Sequence, residues 1–323
     1  MNETAAQAIR PNQLPDTMQA VVAYGPGDYR FETVDVPRPG PDDIIIEVEA
    51  CGICAGDIKA FEGAPSFRGD GKGQPRYVKP PMIPGHEFIG RAVELGERVA
   101  QKGEYKVSDR LISEQIVPCE ACRYCKRGEY WMCERHEVYG FQSNVNGGKT
   151  KYMRFPKESR THRMPQDLAM EKAILIETYA CSVHAVNRRL IQLDDVVVLA
   201  GAGPLGLGMV GAARLKNPSK LIVLDTKPER LELARRFGAD LVMNPAKEDV
   251  VQAVMDLTEG YGCDVYIEAT GHPSSVMQGL NMIRELGRFV KFSLSCQEVT
   301  AACSIISDRK QLDLCGAHLG PYC

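Results

Sequence analysis

At 323 residues, with 44% hydrophobic and 25% charged side chains, the chain is long enough to bury two cores and has the balance of an ordinary globular protein. Its net charge of -3 gives no electrostatic reason to expect nucleic acid or an anionic membrane as a partner. No apolar run approaches the roughly 20 residues that a membrane-spanning helix requires.

The opening residues, MNETAAQAIRPNQLPDT, have neither a basic segment nor an apolar core, so residues 1–17 read as a polar tail rather than a secretory signal. From Met18 the texture is β-rich. MQAVVAY, YRFETVDV and DIIIEVEAC are β-branched, partly alternating runs, separated by the Gly/Pro turns YGPGD and PRPGPDD. A β-rich domain over 18–175 is expected. Cys54, in GICAGDIK, follows the third run, and His86-Glu87 sits in PGHEF. Singly, such a cysteine is usually a small core residue and such a pair a solvated surface feature. With Glu177, in LIETYAC, they supply the thiolate, imidazole and carboxylate of a catalytic zinc that keeps one position open. Spacing along the chain does not by itself bring them together.

Four of the 12 cysteines cluster as Cys119-x2-Cys122-x2-Cys125-x7-Cys133, and the others are scattered. Clustering of this kind points to a metal rather than to a disulfide framework. Four thiolates on one loop satisfy a closed, structural zinc site, which can hold a loop in shape by on the order of 10 kcal/mol. The first three cysteines also fit part of a ferredoxin-type iron–sulfur pattern.

Around Asp195 the pattern changes to alternating strands and helices. Strand-like runs occur at VVVLA, LIVLD, LVM, DVYIE, RFVKF and LDLCG. Between them lie the helix-like stretches PLGLGMVGAARLK, PERLELARRFG, VVQAVMDLT and SSVMQGLNMIREL. This βα alternation predicts a doubly wound parallel sheet over 176–323. Internal repeats and low-complexity tracts are lacking. Gly201-Ala202-Gly203-Pro204-Leu205-Gly206 follows the first of these strands and opens a helix, the context a dinucleotide-binding turn requires. Asp225 ends the next strand, where a carboxylate can accept both ribose hydroxyls and repel a 2′-phosphate. That favours NAD over NADP, although Lys227 and Arg230 nearby could attract a phosphate. Thr270-Gly271, after the fourth strand, fits either the nicotinamide side of the site or a plain turn.

Taken as a set, GHE, the four-cysteine loop and the GAGPLG turn resemble the zinc-containing medium-chain dehydrogenases from Met18 to the C-terminus. That resemblance implies an α/β protein with a GroES-like, β-rich catalytic domain carrying zinc and a Rossmann domain carrying NAD. It implies catalytic-zinc roles for Cys54, His86 and Glu87, with Glu177 at the acidic position of the sorbitol-dehydrogenase branch. Asp57 matches the carboxylate that orients the zinc-bound histidine. More narrowly, GICA-x-D-x-K, SEQIVPC, YGF, SIISD and GAHLGPYC are similar to the erythritol/L-threitol dehydrogenases, which implies NAD-dependent oxidation of a small polyol to the ketose. Sorbitol, idonate and threonine are the alternative substrates. A cytoplasmic homodimer or tetramer is the assembly expected by analogy.

Two features depart from the family pattern. Gly56 stands where relatives place the Ser or Thr that passes the substrate proton outward, and Lys59 stands where many have a relay histidine. Slower turnover is expected, with Lys59 carrying the proton through water. Relatives also continue well past GAHLGPYC, so the C-terminal return segment of the catalytic domain is expected to be lacking. A catalytically impaired NAD-binding paralogue is therefore the alternative of another class. A zinc-stabilised nucleic-acid module is disfavoured, because no basic recognition helix follows the cysteine loop.

Overall fold

The computed structural model describes residues 14–68, 77–294 and 297–321, so most of the polar tail expected over 1–17 lies outside the described residues. The chain forms two compact units that divide between Glu177 and Thr178.

In the first unit, β1 (Thr17–Gly25) and β2 (Asp28–Asp35) form an antiparallel hairpin. Met18, Ala20 and Val22 alternate inward along β1, as a half-buried strand requires. A five-stranded sheet follows, built from β3 (Ile44–Cys51), β4 (Phe88–Leu95), β5 (Arg110–Ser113), β8 (Tyr152–Phe155) and β9 (Thr161–Arg163), in the order β8-β3-β4-β5-β9. Every pairing in it is antiparallel. Its core gathers Ile46, Phe88, Leu111, Tyr139 and Phe155. Each fully buried aliphatic or phenylalanine side chain of this kind contributes about 1.5–3 kcal/mol. Short helices α1 (Ala55–Glu62), α2 (Pro65–Arg68) and α3 (Glu97–Lys102) decorate the sheet connections. β6 (Ile116–Val117) pairs antiparallel with β7 (Glu137–Val138), and that ladder closes the base of the cysteine loop, which carries the single-turn α4 (Arg123–Lys126). α5 (Met170–Ala173) precedes α6 (Ile176–Asn187), whose first turn holds Glu177.

The second unit is a six-stranded, wholly parallel sheet in the order β12-β11-β10-β13-β14-β15. Its strands are β10 (Val196–Ala200), β11 (Lys220–Leu224), β12 (Leu241–Met243), β13 (Cys263–Glu268), β14 (Ile283–Lys291) and β15 (Asp313–Gly316). The order reverses between β10 and β13, the topological switch point at which such sheets bind ligands. Along β10, Val197 and Leu199 pack into one core layer and Val198 and Ala200 into the other, so both faces are covered. Helices α7 (Pro204–Arg214), α8 (Pro228–Arg236) and α10 (Pro273–Met282) each begin with a proline, whose missing N–H costs nothing in the first turn. α9 (Val250–Leu257) is instead capped by Asp249, which accepts the N–H groups of Val251 and Gln252. Among the described residues no helix is long and apolar enough to cross a membrane.

One sequence expectation needs correction. SSVMQGLNMIREL read as a helix through Leu286, yet α10 ends at Met282 and Ile283 already belongs to β14. The cause lies outside the segment. Lys310 Nζ donates to the carbonyls of Leu280 (2.8 Å), Asn281 (2.9 Å) and Ile283 (2.5 Å), satisfying groups that a helix end leaves open. Ile283 meanwhile pairs with Cys263 and is buried in the core. Replacing Lys310 with Met should therefore destabilise the protein by about 1–3 kcal/mol, read as a shift of the denaturation midpoint. An unchanged midpoint would mean that the helix end is set by the Ile283 side chain instead.

Candidate functional site

Three of the expected metal ligands come together within the first unit. Cys54 is the N-cap residue of α1, in extended backbone just after β3, while His86 and Glu87 lie just before β4. One ligand atom from each of the three lies within 4.8 Å of the other two. β3 and β4 are paired through Cys51–Phe88, and that register delivers the two segments to the same place. A Cβ on Gly52 would lie 2.3 Å from Glu87 Oε2, so in this arrangement the carboxylate occupies the space that the glycine leaves.

Asp57, 4% exposed, serves both halves of the cluster. Its Oδ2 accepts the Cys54 N–H at 3.2 Å, the reach-back half of a capping box, and its Oδ1 faces His86 Nδ1 at 3.5 Å. The His86 ring rests against Phe141, centroids 5.1 Å apart. Burial alone would lower the His86 pKa, but the contacts with Asp57 and Cys54 and the charge of Glu177 raise it well above the ordinary value. Cys51 is also close, with burial pushing its thiol up to about 12, but it is not one of the three clustered residues.

The remaining expected residues occupy other positions. Glu177 is buried at the start of α6 and accepts a hydrogen bond from Gln115 Nε2; it is not one of the three clustered residues. Lys59 lies half-buried on α1, one turn after Gly56. A Cβ on Gly56 would meet Cys54 Sγ at 3.7 Å and His86 Cε1 at 3.8 Å, ordinary contacts that leave room for a side chain. Sequence reasoning missed two members of this environment. Gln115 stood inside the SEQIVPC motif without a role, and Lys149, whose Nζ reaches Asp57 Oδ2 at 3.3 Å, sits in a glycine-rich stretch that gives no local signal.

The sulfurs of Cys119, Cys122, Cys125 and Cys133 also lie within 4.8 Å of one another. Backbone N–H groups point at these sulfurs, among them Cys119 N–H to Cys133 Sγ (3.2 Å) and Cys122 N–H to Cys119 Sγ (3.3 Å). Such bonds favour thiolates; those from the backbone of Cys125 and Glu134 bring the Cys122 pKa down to about 6. Four convergent sulfurs, with no fifth donor clustered among the described residues, match a closed tetrahedral site.

In the second unit, the glycine turn joins β10 to α7. Gly201 has φ +101°, a conformation that side chains resist, and a Cβ on Gly206 would lie 1.8 Å from the Gly201 carbonyl oxygen. Around Gly203, the N-cap of α7, a Cβ would meet only Arg230 Nη1, at 3.9 Å, so the turn is open where a phosphate would approach the helix N-terminus. Pro204 opens the helix, and the Leu205 carbonyl accepts the Ser182 hydroxyl at 2.9 Å. Asp225 is buried with both oxygens engaged: Oδ2 takes the Ala202 N–H (2.8 Å) and Oδ1 the Lys227 N–H (2.9 Å). Each oxygen keeps a second lone pair for a further donor. Arg230 Nη1 lies 3.7 Å from Asp225 Oδ2. At the end of β13, Thr270 donates both its N–H (2.8 Å) and its hydroxyl (2.6 Å) to the fully buried Glu268, which Lys291 neutralises at 2.8 Å.

Comparison with known proteins gives matches over both units. Residues 40–166 match the alcohol dehydrogenase GroES-like domain, and residues 204–321 match the zinc-binding dehydrogenase domain. The chain is 50% identical to an erythritol/L-threitol dehydrogenase from Mycolicibacterium smegmatis, over 97% of this chain and 86% of that protein. It is 30% identical to a sorbitol dehydrogenase from Bacillus subtilis, over 94% of this chain and 82% of that protein. Among solved structures, a zinc-binding dehydrogenase from Sinorhizobium meliloti 1021 bound to NADP superimposes with a TM-score of 0.83 at 28% identity, covering 95% of this chain and 86% of that one.

The Gly206 geometry can be checked directly. Gly206→Ala should abolish measurable nicotinamide-nucleotide binding while the metal content of the other unit stays unchanged. Binding at native strength would show that the turn relaxes without cost.

Proposed function

The chain belongs to the zinc-dependent alcohol dehydrogenase family, and we propose that it oxidises a small polyol of the erythritol or L-threitol type to the ketose, with NAD as hydride acceptor. The convergence of Cys54, His86 and Glu87 carries this reading. One thiolate, one imidazole and one carboxylate form the donor set of a catalytic zinc with an open fourth position. Asp57 against Nδ1 leaves Nε2 of His86 for the metal, the arrangement that fixes tautomer and ring orientation at such centres. The four-cysteine loop supplies the donors of a second, structural zinc. When bound, zinc acts as a Lewis acid that lowers the pKa of a coordinated hydroxyl, and NAD supplies the hydride acceptor.

The chain's own residues divide the remaining work. Cys54, His86 and Glu87 hold the metal, and Glu177, fixed by Gln115, adds a buried negative charge that acts on His86. With no hydroxyl at Gly56, the substrate proton leaves through water to solvent, past Lys59 one turn further along α1. In the second unit, Gly201, Gly203, Pro204, Leu205 and Gly206 form the pyrophosphate turn, and Thr270 borders the nicotinamide side. Asp225 favours NAD, because a carboxylate there repels a 2′-phosphate and already draws the charge of Arg230. The polyol class rests on the half-identical relative, an erythritol/L-threitol dehydrogenase.

The direct test is NADH formation by the purified chain with erythritol, L-threitol, sorbitol and threonine, with and without a zinc chelator. Chelator-sensitive turnover on a four-carbon polyol is expected. Nucleotide binding without turnover on any alcohol would favour the silent-paralogue alternative that Gly56 suggests. Cys54→Ala should abolish turnover with NAD binding retained, whereas Cys122→Ala should lower thermal stability first. Gly56→Ser fits the space beside Cys54 Sγ and should raise turnover; no gain would mean that the proton leaves by another route.

A further inference from the structure

Asp57 can serve Cys54 and His86 together only if its carboxylate is held in one rotamer, because the two contacts use opposite oxygens. Among the described residues neither His86 Nδ1 nor Asp57 Oδ1 has a hydrogen-bond partner of ordinary length, so this pair does not fix the carboxylate by itself. The third contact comes from far along the chain. Lys149, just before β8, donates from Nζ to Asp57 Oδ2 at 3.3 Å, and its side chain is 19% exposed. Its backbone is anchored, with the Lys149 N–H donating to the Pro84 carbonyl at 3.0 Å. Its stem passes over Gly85, where a Cβ would lie 3.0 Å from Lys149 Cγ. The positive φ of Gly85 (+100°) and its missing side chain together let the lysine lie beside His86.

Charge gives the lysine a second reason to be there. Divalent zinc balances the Cys54 thiolate and the Glu87 carboxylate when the imidazole is neutral. Asp57 then adds a buried negative charge to that of Glu177, a costly arrangement unless it is paired. Lys149 supplies a cation for Asp57, and Lys291 does the same for the buried Glu268 in the other unit.

We infer that Lys149 is a positioning residue of the metal centre, clamping Asp57 in the orientation that serves both Cys54 and His86 and thereby slowing loss of the metal. The inference rests on the catalytic-zinc reading above. The expected size follows from other metal sites, where removing an outer partner of a ligand weakens metal binding by about 10- to 100-fold. Lys149 acts one contact further out, so the lower end is expected.

The test follows zinc alone, without substrate or nucleotide. Native chain and Lys149→Met are loaded with zinc, exposed to a chelator, and assayed over time for metal retained per chain. Methionine keeps the stem over Gly85 and removes only the ammonium. The native chain should hold two zinc ions, and the variant should lose one of them about 10-fold faster while the four-cysteine ion stays and reports an intact fold. Lys149→Arg, which restores the cation, should return most of the retention. Native-like retention in Lys149→Met overturns the inference but leaves the catalytic zinc standing. Uptake of only one ion by the native chain overturns the zinc reading itself. Should the methionine variant lose both ions together, Lys149→Gln decides in the same assay, and joint loss from both variants counts against the inference.

Discussion

Three groups from separate stretches of chain meet at the Asp57 carboxylate: the Cys54 N–H, His86 Nδ1 and Lys149 Nζ. The geometry of the proposed metal centre depends on that meeting. Cys54 is placed by the start of α1, His86 by the approach to β4, and Lys149 by the approach to β8. β3 pairs with both β4 and β8, so the sheet brings the three segments together and the carboxylate then fixes their side chains. A buried, multiply bonded carboxylate is costly to leave unsatisfied, which makes the arrangement rigid. Rigidity of this kind is what a metal with a fixed coordination geometry needs.

The second unit solves its own problem with the same device. Asp225 holds the glycine turn through Ala202 and the following loop through Lys227, and Glu268 holds the Thr270–Gly271 turn. In each case a carboxylate at the C-terminal end of a parallel strand takes backbone N–H groups that the strand ladder has released. The ends of β11 and β13 are therefore held by the chain's own side chains, with β13 beside the point where the sheet order reverses. Preordering of this sort lowers the entropic cost of binding.

Much of this was legible in the sequence. The βα alternation gave all six strands of the second sheet, because a parallel strand buried on both faces is a continuous apolar run that local composition reveals. The cysteine loop was legible because its donors are close along the chain. The helix end at Met282 was not, since it depends on Lys310, which arrives from the connection to β15. The cluster of Cys54, His86 and Glu87 was readable only through family resemblance, because strand register and not spacing brings those residues together. Lys149 escaped for the same reason. An ammonium in a glycine-rich loop reads as solvated surface until the fold shows the carboxylate beneath it.

Asp225 has a consequence for how this protein can change over evolutionary time. The carboxylate proposed above to discriminate between nucleotides is also the acceptor that holds Ala202 in the glycine turn. On that reading, a lineage drifting toward a 2′-phosphorylated nucleotide would lose the negative charge, and the same step would release the turn and the Lys227 N–H. Asparagine keeps an acceptor oxygen on only one side of the group, so it preserves at most one of the two bonds. Selection must therefore install a replacement acceptor before, or together with, the change in charge. On the proposed reading, nucleotide preference is held in place by folding as much as by recognition.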